Sequence, residues 1–332
     1  MNKNLTSLLI FMSCISFAQI NLPTIDKALD SFDFLQEQII EGKDTITYYL
    51  KNYKKKPQNL VVFIQGTDAN PIFSYTTKND KIIYSRWFRD DFKNLDSTYT
   101  YVIIPKPNME GLFDEANIKV PKGYYEKNYL EYRVKQLDLS IKHIIKNHLS
   151  HSEKIIVYGH SEGAVIGASL ANKNKNITHL GFWSGNVLNN FYEFSLFNRI
   201  ETLQGKQSDS LAHNNIMGII DWYESVIKNP NSTEIDHFGF TNKRWSSYEK
   251  PPIDDLLAID IPIYAVFGTK DESTPIETAY LLPIQFMQKR KENLTFDVCI
   301  DCNHGYVEKD KEKETKHWDR IFSEFIIWTN NK

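Results

Sequence analysis

Three features of the sequence predict an α/β protein with a mostly parallel central sheet and helices on both faces. Short, wholly apolar runs, such as Leu60 to Ile64 and Ile263 to Phe267, have the length of strands buried on both sides. Amphipathic helical stretches alternate with them, the order that a covered parallel sheet requires. At one alternation stands Gly159-His160-Ser161-Glu162-Gly163, where an apolar run meets small, helix-compatible residues.

From the N-terminus, Thr, Ile and Tyr alternate with polar residues over Asp44 to Tyr53, giving a first strand. Leu60 to Ile64 is a second, running into Gln65-Gly66-Thr67-Asp68, and Thr100 to Ile104 is a third, stopped by Pro105. Tyr129 to Asn147 reads as an amphipathic helix with Val134, Leu137, Ile141 and Ile144 on its apolar side. Ile155 to Tyr158 and Thr178 to Trp183 are strands on either side of a helix over Ala164 to Lys173. Pro262 introduces the strand Ile263 to Phe267. Thr274 to Lys291 is then helical with an interruption expected near Pro283. Leu294 to Ile300 alternates like a final strand, and Trp318 to Trp328 closes the chain as an amphipathic helix.

Between Gly185 and Ile259 this rhythm breaks. The stretch is long, polar and aromatic, with at least one helix near Met217 to Lys228. An insertion there, after the strand that follows Ser161, is placed to overhang that serine as a lid. Most of its aromatics are expected to pack a small core of their own.

The Gly-x-Ser-x-Gly segment has the pattern of a strained strand-to-helix turn that exposes a nucleophilic serine. The alternative is an ordinary glycine-rich turn whose serine caps a helix. Gly159 and Gly163 lack Cβ atoms, which lets the turn be sharp and the helix pack close. Serine needs a base, and a histidine base needs a third group to fix its tautomer. Asp271 lies directly after the Ile263–Phe267 strand and is favoured over its neighbour Glu272. His304, in Cys302-Asn303-His304-Gly305, follows the last strand, and Gly305 is expected to allow a sharp turn beside it. Of the nine histidines only His304 has this order and placement; His143, His148 and His151 read as solvated. An oxyanion hole requires two backbone N–H groups. Glu162, after the nucleophile, supplies one, and Thr67, after Gln65-Gly66, is the best candidate for the other.

A formal net charge of −3 over 332 residues gives no support for nucleic-acid binding. Lys54-Lys55-Lys56 reads as a solvated loop. Lys3, the apolar Leu5 to Phe17 and Ser16-Phe17-Ala18 form a cleavable signal peptide over residues 1–19, with the mature domain covering 20–332. Lipidation at Cys14 is the less favoured reading, because Phe11-Met12-Ser13 is a poor lipobox. No later apolar run reaches ~18 residues, so no stable membrane span is expected. Cys299 and Cys302 could form a small disulfide loop in an oxidising compartment or remain free thiols. No second cysteine pair completes a zinc site, and no metal, nucleotide, flavin or other cofactor is implied. Oligomeric state leaves no sequence signal.

From Asp44 to Trp328 the chain resembles an α/β-hydrolase. Its Gly-His-Ser-Glu-Gly turn and Phe-Gly-Thr-Lys-Asp-Glu-Ser-Thr-Pro loop are similar to those of the serine aminopeptidase and dienelactone-hydrolase-like esterase groups. The resemblance implies about eight strands, a Ser161–Asp271–His304 triad, and hydrolysis of a small acyl substrate through an acyl-enzyme. A carboxylic-ester hydrolase is the leading expectation. A peptidase is the alternative, with Glu224, Glu234 or Asp236 receiving a substrate amine. A catalytically silent binding protein on the same scaffold is the third reading.

Overall fold

In the computed structural model, residues 22–310 and 313–332 are described; residues 1–19, expected to form a signal peptide, and with them Cys14, lie outside them. An eight-stranded sheet forms the centre: β1 (Phe34–Glu41), β2 (Asp44–Lys51), β3 (Asn59–Ile64), β4 (Tyr99–Ile103), β5 (Lys154–His160), β6 (His179–Trp183), β7 (Ile263–Gly268) and β8 (Leu294–Cys299). Its spatial order is β1-β2-β4-β3-β5-β6-β7-β8. From β4 through β8 every pairing is parallel, whereas β1–β2 and β2–β4 are antiparallel. Strands β3, β6 and β7 are buried along their whole length, which matches their unbroken apolar sequence.

β1 was not visible as a strand because it sits at the sheet edge and leaves most residues exposed, so Gln36, Glu37 and Gln38 interrupt any apolar pattern. It is joined to β2 by a two-residue turn through Gly42, whose φ of 63° suits glycine. A three-stranded sheet, Phe73–Lys78 with Lys81–Arg86 and Leu112–Asp114, is also additional to the sequence reading. Its hairpin turns on Asn79-Asp80, both at positive φ, the residue types that tolerate this conformation.

On one face of the central sheet lie α1 (Leu130–Asn147) and α2 (Glu162–Lys173), whose apolar residues join β3 and β5 in the larger core. Between β6 and β7 come α3 (Asn190–Leu203), α4 (Asp209–Lys228), α5 (Asn242–Ser247) and α6 (Pro252–Ala258). The C-terminal α7 (Trp318–Thr329) covers the other face with Phe322 and Phe325 against Tyr158 and Trp183.

The interruption expected near Pro283 falls at Tyr280, between Ile276–Ala279 and Leu281–Gln288. Pro283 sits in the first turn of the second helix, where its missing N–H costs no intrahelical bond. His148 is buried instead of solvated, its two ring nitrogens bound to the hydroxyls of Tyr48 and Tyr53, and Tyr48 also reaches His143.

Candidate active site

β5 ends at His160 and α2 begins at Glu162, so the entire reversal falls on Ser161, held at φ 59°, ψ −128°. A non-glycine residue in this conformation stores roughly 1–3 kcal/mol of strain, sustained by its surroundings. Those surroundings are close: a Cβ on Gly159 would lie 2.1 Å from Gly163 O, and one on Gly163 would lie 2.1 Å from Ile64 O. Only glycine lets α2 cross β3 and β5 at this distance. Ser161 N–H donates to Trp183 O at 2.9 Å, which pins the turn to β6.

Asp271 follows β7. Its carboxylate accepts from the N–H groups of Ser273 and Thr274 and from Thr274 Oγ1. His304 follows β8, and its Nδ1 lies 3.0 and 2.8 Å from the two Asp271 oxygens. Because a carboxylate only accepts, Nδ1 carries the proton, and Nε2 is the ring atom left for acid–base work. Burial would raise the Asp271 carboxyl, but His304 and the two loop N–H groups outweigh it and hold it below the usual carboxylate range.

The loop bearing His304 is fixed from several sides. Lys270 N–H donates to Cys302 O, Asn303 Oδ1 accepts from the N–H groups of Gly305 and Val307, and Cys299–Cys302 is closed as a disulfide. Gly268 permits the approach, since a Cβ there would lie 2.4 Å from Cys302 O. Gly305 does not provide the sharp turn; the left-handed residue is Tyr306, at φ 57°, anchored by its hydroxyl to Val266 O. His160 Nε2–H donates to His304 O at 2.7 Å, and the two rings lie 4.5 Å apart. Burial and the adjacent His304 push the His160 imidazole far down, so it stays neutral and acts as a fixed donor.

Ser161, Asp271 and His304 line one cavity of about 1630 Å³, together with Gly66, Thr67 and Glu162. Among the described residues no hydrogen bond joins Ser161 Oγ to the imidazole. A Cβ on Gly66 would lie 3.4 Å from Ser161 Cβ, so the chain leading to Thr67 passes directly over the serine. Glu162 brings a feature that the sequence reading missed. Its buried carboxylate pairs with Lys106, which follows β4, at 3.2 Å, and with Arg244 of α5 through both Nε and Nη2. Burial alone would raise the Glu162 carboxyl, but these two cations hold it down at about 2. Nothing in Ile104-Pro105-Lys106-Pro107 distinguishes that lysine from a solvated one.

The opposite wall comes from the inserted segment. Phe194, Phe197, Trp222, Phe238, Phe240 and Trp245 line the cavity, alongside carboxamides such as Asn190, Asn198 and Asn215. Several of the rings double as the segment's own core, built on Phe191, Val226 and Trp245. Glu224, Glu234 and Asp236 are not among the cavity residues: Glu224 pairs with Lys228, Glu234 is exposed, and Asp236 binds Trp245 Nε1. Cys299, Cys302 and His317 place three ligand-type atoms within 4.8 Å, but sulfurs joined in a disulfide offer no thiolate.

The strand order and the sharp strand-to-helix turn at Ser161 decide the fold. It is the α/β-hydrolase fold. Solved structures agree. Est1E from Butyrivibrio proteoclasticus matches at 14% identity with a TM-score of 0.51, over 90% of this chain and 99% of that one. An acylaminoacyl peptidase of Pyrococcus horikoshii matches at 10% identity and TM-score 0.57, over 90% of this chain. The alignment spans only 41% of that peptidase. An esterase of Pyrococcus furiosus matches at 13% identity and TM-score 0.50, over 82% of this chain and 84% of that one. No protein-family model and no curated protein matches the sequence.

Proposed function

We propose that the protein is a serine hydrolase that cleaves carboxylic esters through an acyl-enzyme. The observation that carries this reading is the convergence of a strained Ser161 and an Asp271-bound His304 on one cavity, each from a different strand end. His304 Nε2 takes the proton of Ser161 Oγ as that oxygen attacks the acyl carbon. The carbonyl electrons move onto oxygen, where the N–H groups of Glu162 and Thr67 stabilise the charge. As the intermediate collapses, the imidazolium returns its proton to the leaving alkoxide. Water, deprotonated by the same nitrogen, then releases the acid and restores Ser161.

Glu224, Glu234 and Asp236 lie away from the cavity, which removes the acids expected to receive a substrate amine, although Asp68, Glu201, Glu272 and Glu277 line it. Structures of both an esterase and a peptidase resemble this fold, so likeness alone does not choose. The segment 185–259 acts as a cap that selects the acyl or alcohol portion. Residues 1–19 direct export to the periplasm or medium, a reading supported by the Cys299–Cys302 disulfide.

The test is fluorophosphonate labelling followed by turnover. Wild type should label rapidly, and Ser161→Ala and His304→Ala should abolish both labelling and p-nitrophenyl acetate hydrolysis, by roughly 10⁴-fold or more. Equal labelling of wild type and Ser161→Ala would remove the nucleophile assignment. Faster turnover of aminoacyl anilides than of p-nitrophenyl esters would replace the esterase by a peptidase.

A further inference from the structure

Lys106 is wholly buried, yet its ammonium is not spent on one partner. Nζ donates to Thr67 O at 2.7 Å and to Glu162 Oε1 at 3.2 Å. These two residues carry the backbone N–H groups assigned to the oxyanion hole, one on the β3 loop and one on α2. Burying an ammonium is costly, and a surface lysine could not hold both loops at once. We propose that Lys106 is a positioning residue that clamps the two oxyanion donors, Thr67 and Glu162, into a single register around Ser161.

The clamp rests on Ser161 being the nucleophile. Its geometry follows from ammonium chemistry: three protons on one nitrogen can tie a carbonyl and a carboxylate from separate elements. Tethering Thr67 O fixes the peptide plane that follows its N–H, and tethering Glu162 fixes the first turn of α2. The groups facing Lys106 are Glu162 from α2, Arg133 from α1 and Arg244 from α5. Arg133 itself is bound to Pro105 O and Gln136, so it braces the same loop without competing for Thr67. Burial, aided by the two guanidiniums and opposed by Glu162, pushes the Lys106 ammonium down to about 8. Loss of that proton removes the charge from the Glu162 bond, so the clamp loosens in mild alkali.

The experiment compares wild type with Lys106→Met in catalysis and in hydrogen exchange. For p-nitrophenyl acetate, kcat should fall about 10- to 100-fold with KM within about threefold, because a misaimed donor weakens only the transition state. Wild-type kcat should also decline above about pH 8, as Lys106 loses its proton, and Lys106→Met should lack that alkaline limb. Amide exchange over residues 66–70 should be at least about tenfold faster in Lys106→Met. This arm does not depend on turnover. If wild type lacks Ser161-dependent labelling, the hydrolase reading fails while exchange still decides the clamp. Unchanged kcat and unchanged exchange overturn the proposal, as does an alkaline limb retained in Lys106→Met. Should Lys106→Met not fold, Lys106→Gln replaces it, a shorter side chain that cannot span both partners; unaltered exchange over 66–70 in that variant also overturns the clamp.

Discussion

On the sheet side of the cavity, Ser161, Asp271 and His304 each follow the C-terminal end of a strand, and β5 and β7 are buried through their centres. On the opposite side, α3 to α5 contribute rings and carboxamides from a core of three fully buried apolar residues, while Leu211, Met217 and Ile220 remain about half exposed. The sheet half is held by interlocked backbone: Gly159, Gly163 and Gly268 each admit a neighbouring chain at a distance that no Cβ would permit. The inserted half is tied down by a few buried polar links. Arg244 joins it to Glu162 at the start of α2, and Glu193 of α3 accepts from Val187 N–H, Leu188 N–H, Asn186 and Thr278. Displacement is thus most strongly resisted around Ser161, Asp271 and His304, whereas a handful of contacts sets the shape of the opposite wall.

This contrast can be broken most severely on the sheet side. Asp271→Asn should keep the fold but lower kcat by about 10⁴-fold, because the amide permits the wrong His304 tautomer. Steady-state kinetics beside an unchanged circular dichroism spectrum would check it. On the inserted side, Arg244→Met leaves Glu162 with Lys106 as its remaining cation. The loss should be about 2–3 kcal/mol of stability, read from urea unfolding, with α3 to α5 becoming the first region cut by protease.

Glu193 offers a pH-dependent version. Burial raises its carboxyl to about 6, against 4.5 unperturbed, so the folded state holds the proton more tightly than the unfolded chain. Its stabilising contribution is fully present below pH 4.5 and is lost as pH rises through about 6, amounting to about 2 kcal/mol. In Glu193→Gln that component of the slope of unfolding free energy between pH 4.5 and 6 should disappear. Opening the Cys299–Cys302 loop by double substitution to alanine should cost at most about 2 kcal/mol, because so short a loop restricts the unfolded chain little. A melting curve with and without reductant measures this. The smallest effect is expected at Phe197, which lines the cavity outside the inserted core. Phe197→Ala should change the preference between short and long p-nitrophenyl esters by about tenfold, leaving kcat on the acetate within about threefold.

Much of this was legible in the chain. Seven of the eight central strands could be read because burial on both faces, or on one, writes itself as apolar runs or alternation. β1 escaped because an edge strand needs neither. Gly159-His160-Ser161-Glu162-Gly163, Asp271 and His304 were found because a strained turn and two strand-end loops demand particular residue types in a particular order. Arg244, Lys106 and His160 were not found. Their partners lie 82, 56 and 144 positions away, and neither spacing nor composition links such pairs.

The sequence by itself determined the layered α/β architecture and the identity of the three candidate reacting residues, because local periodicity and turn chemistry are short-range properties. Only the tertiary structure decided that Asp271 meets His304, that Gly66 passes over Ser161, and that one buried carboxylate joins the Ser161 turn to the inserted helices. Those outcomes depend on which distant strand ends the fold brings together, and on burial that turns ordinary charges into obligatory pairs.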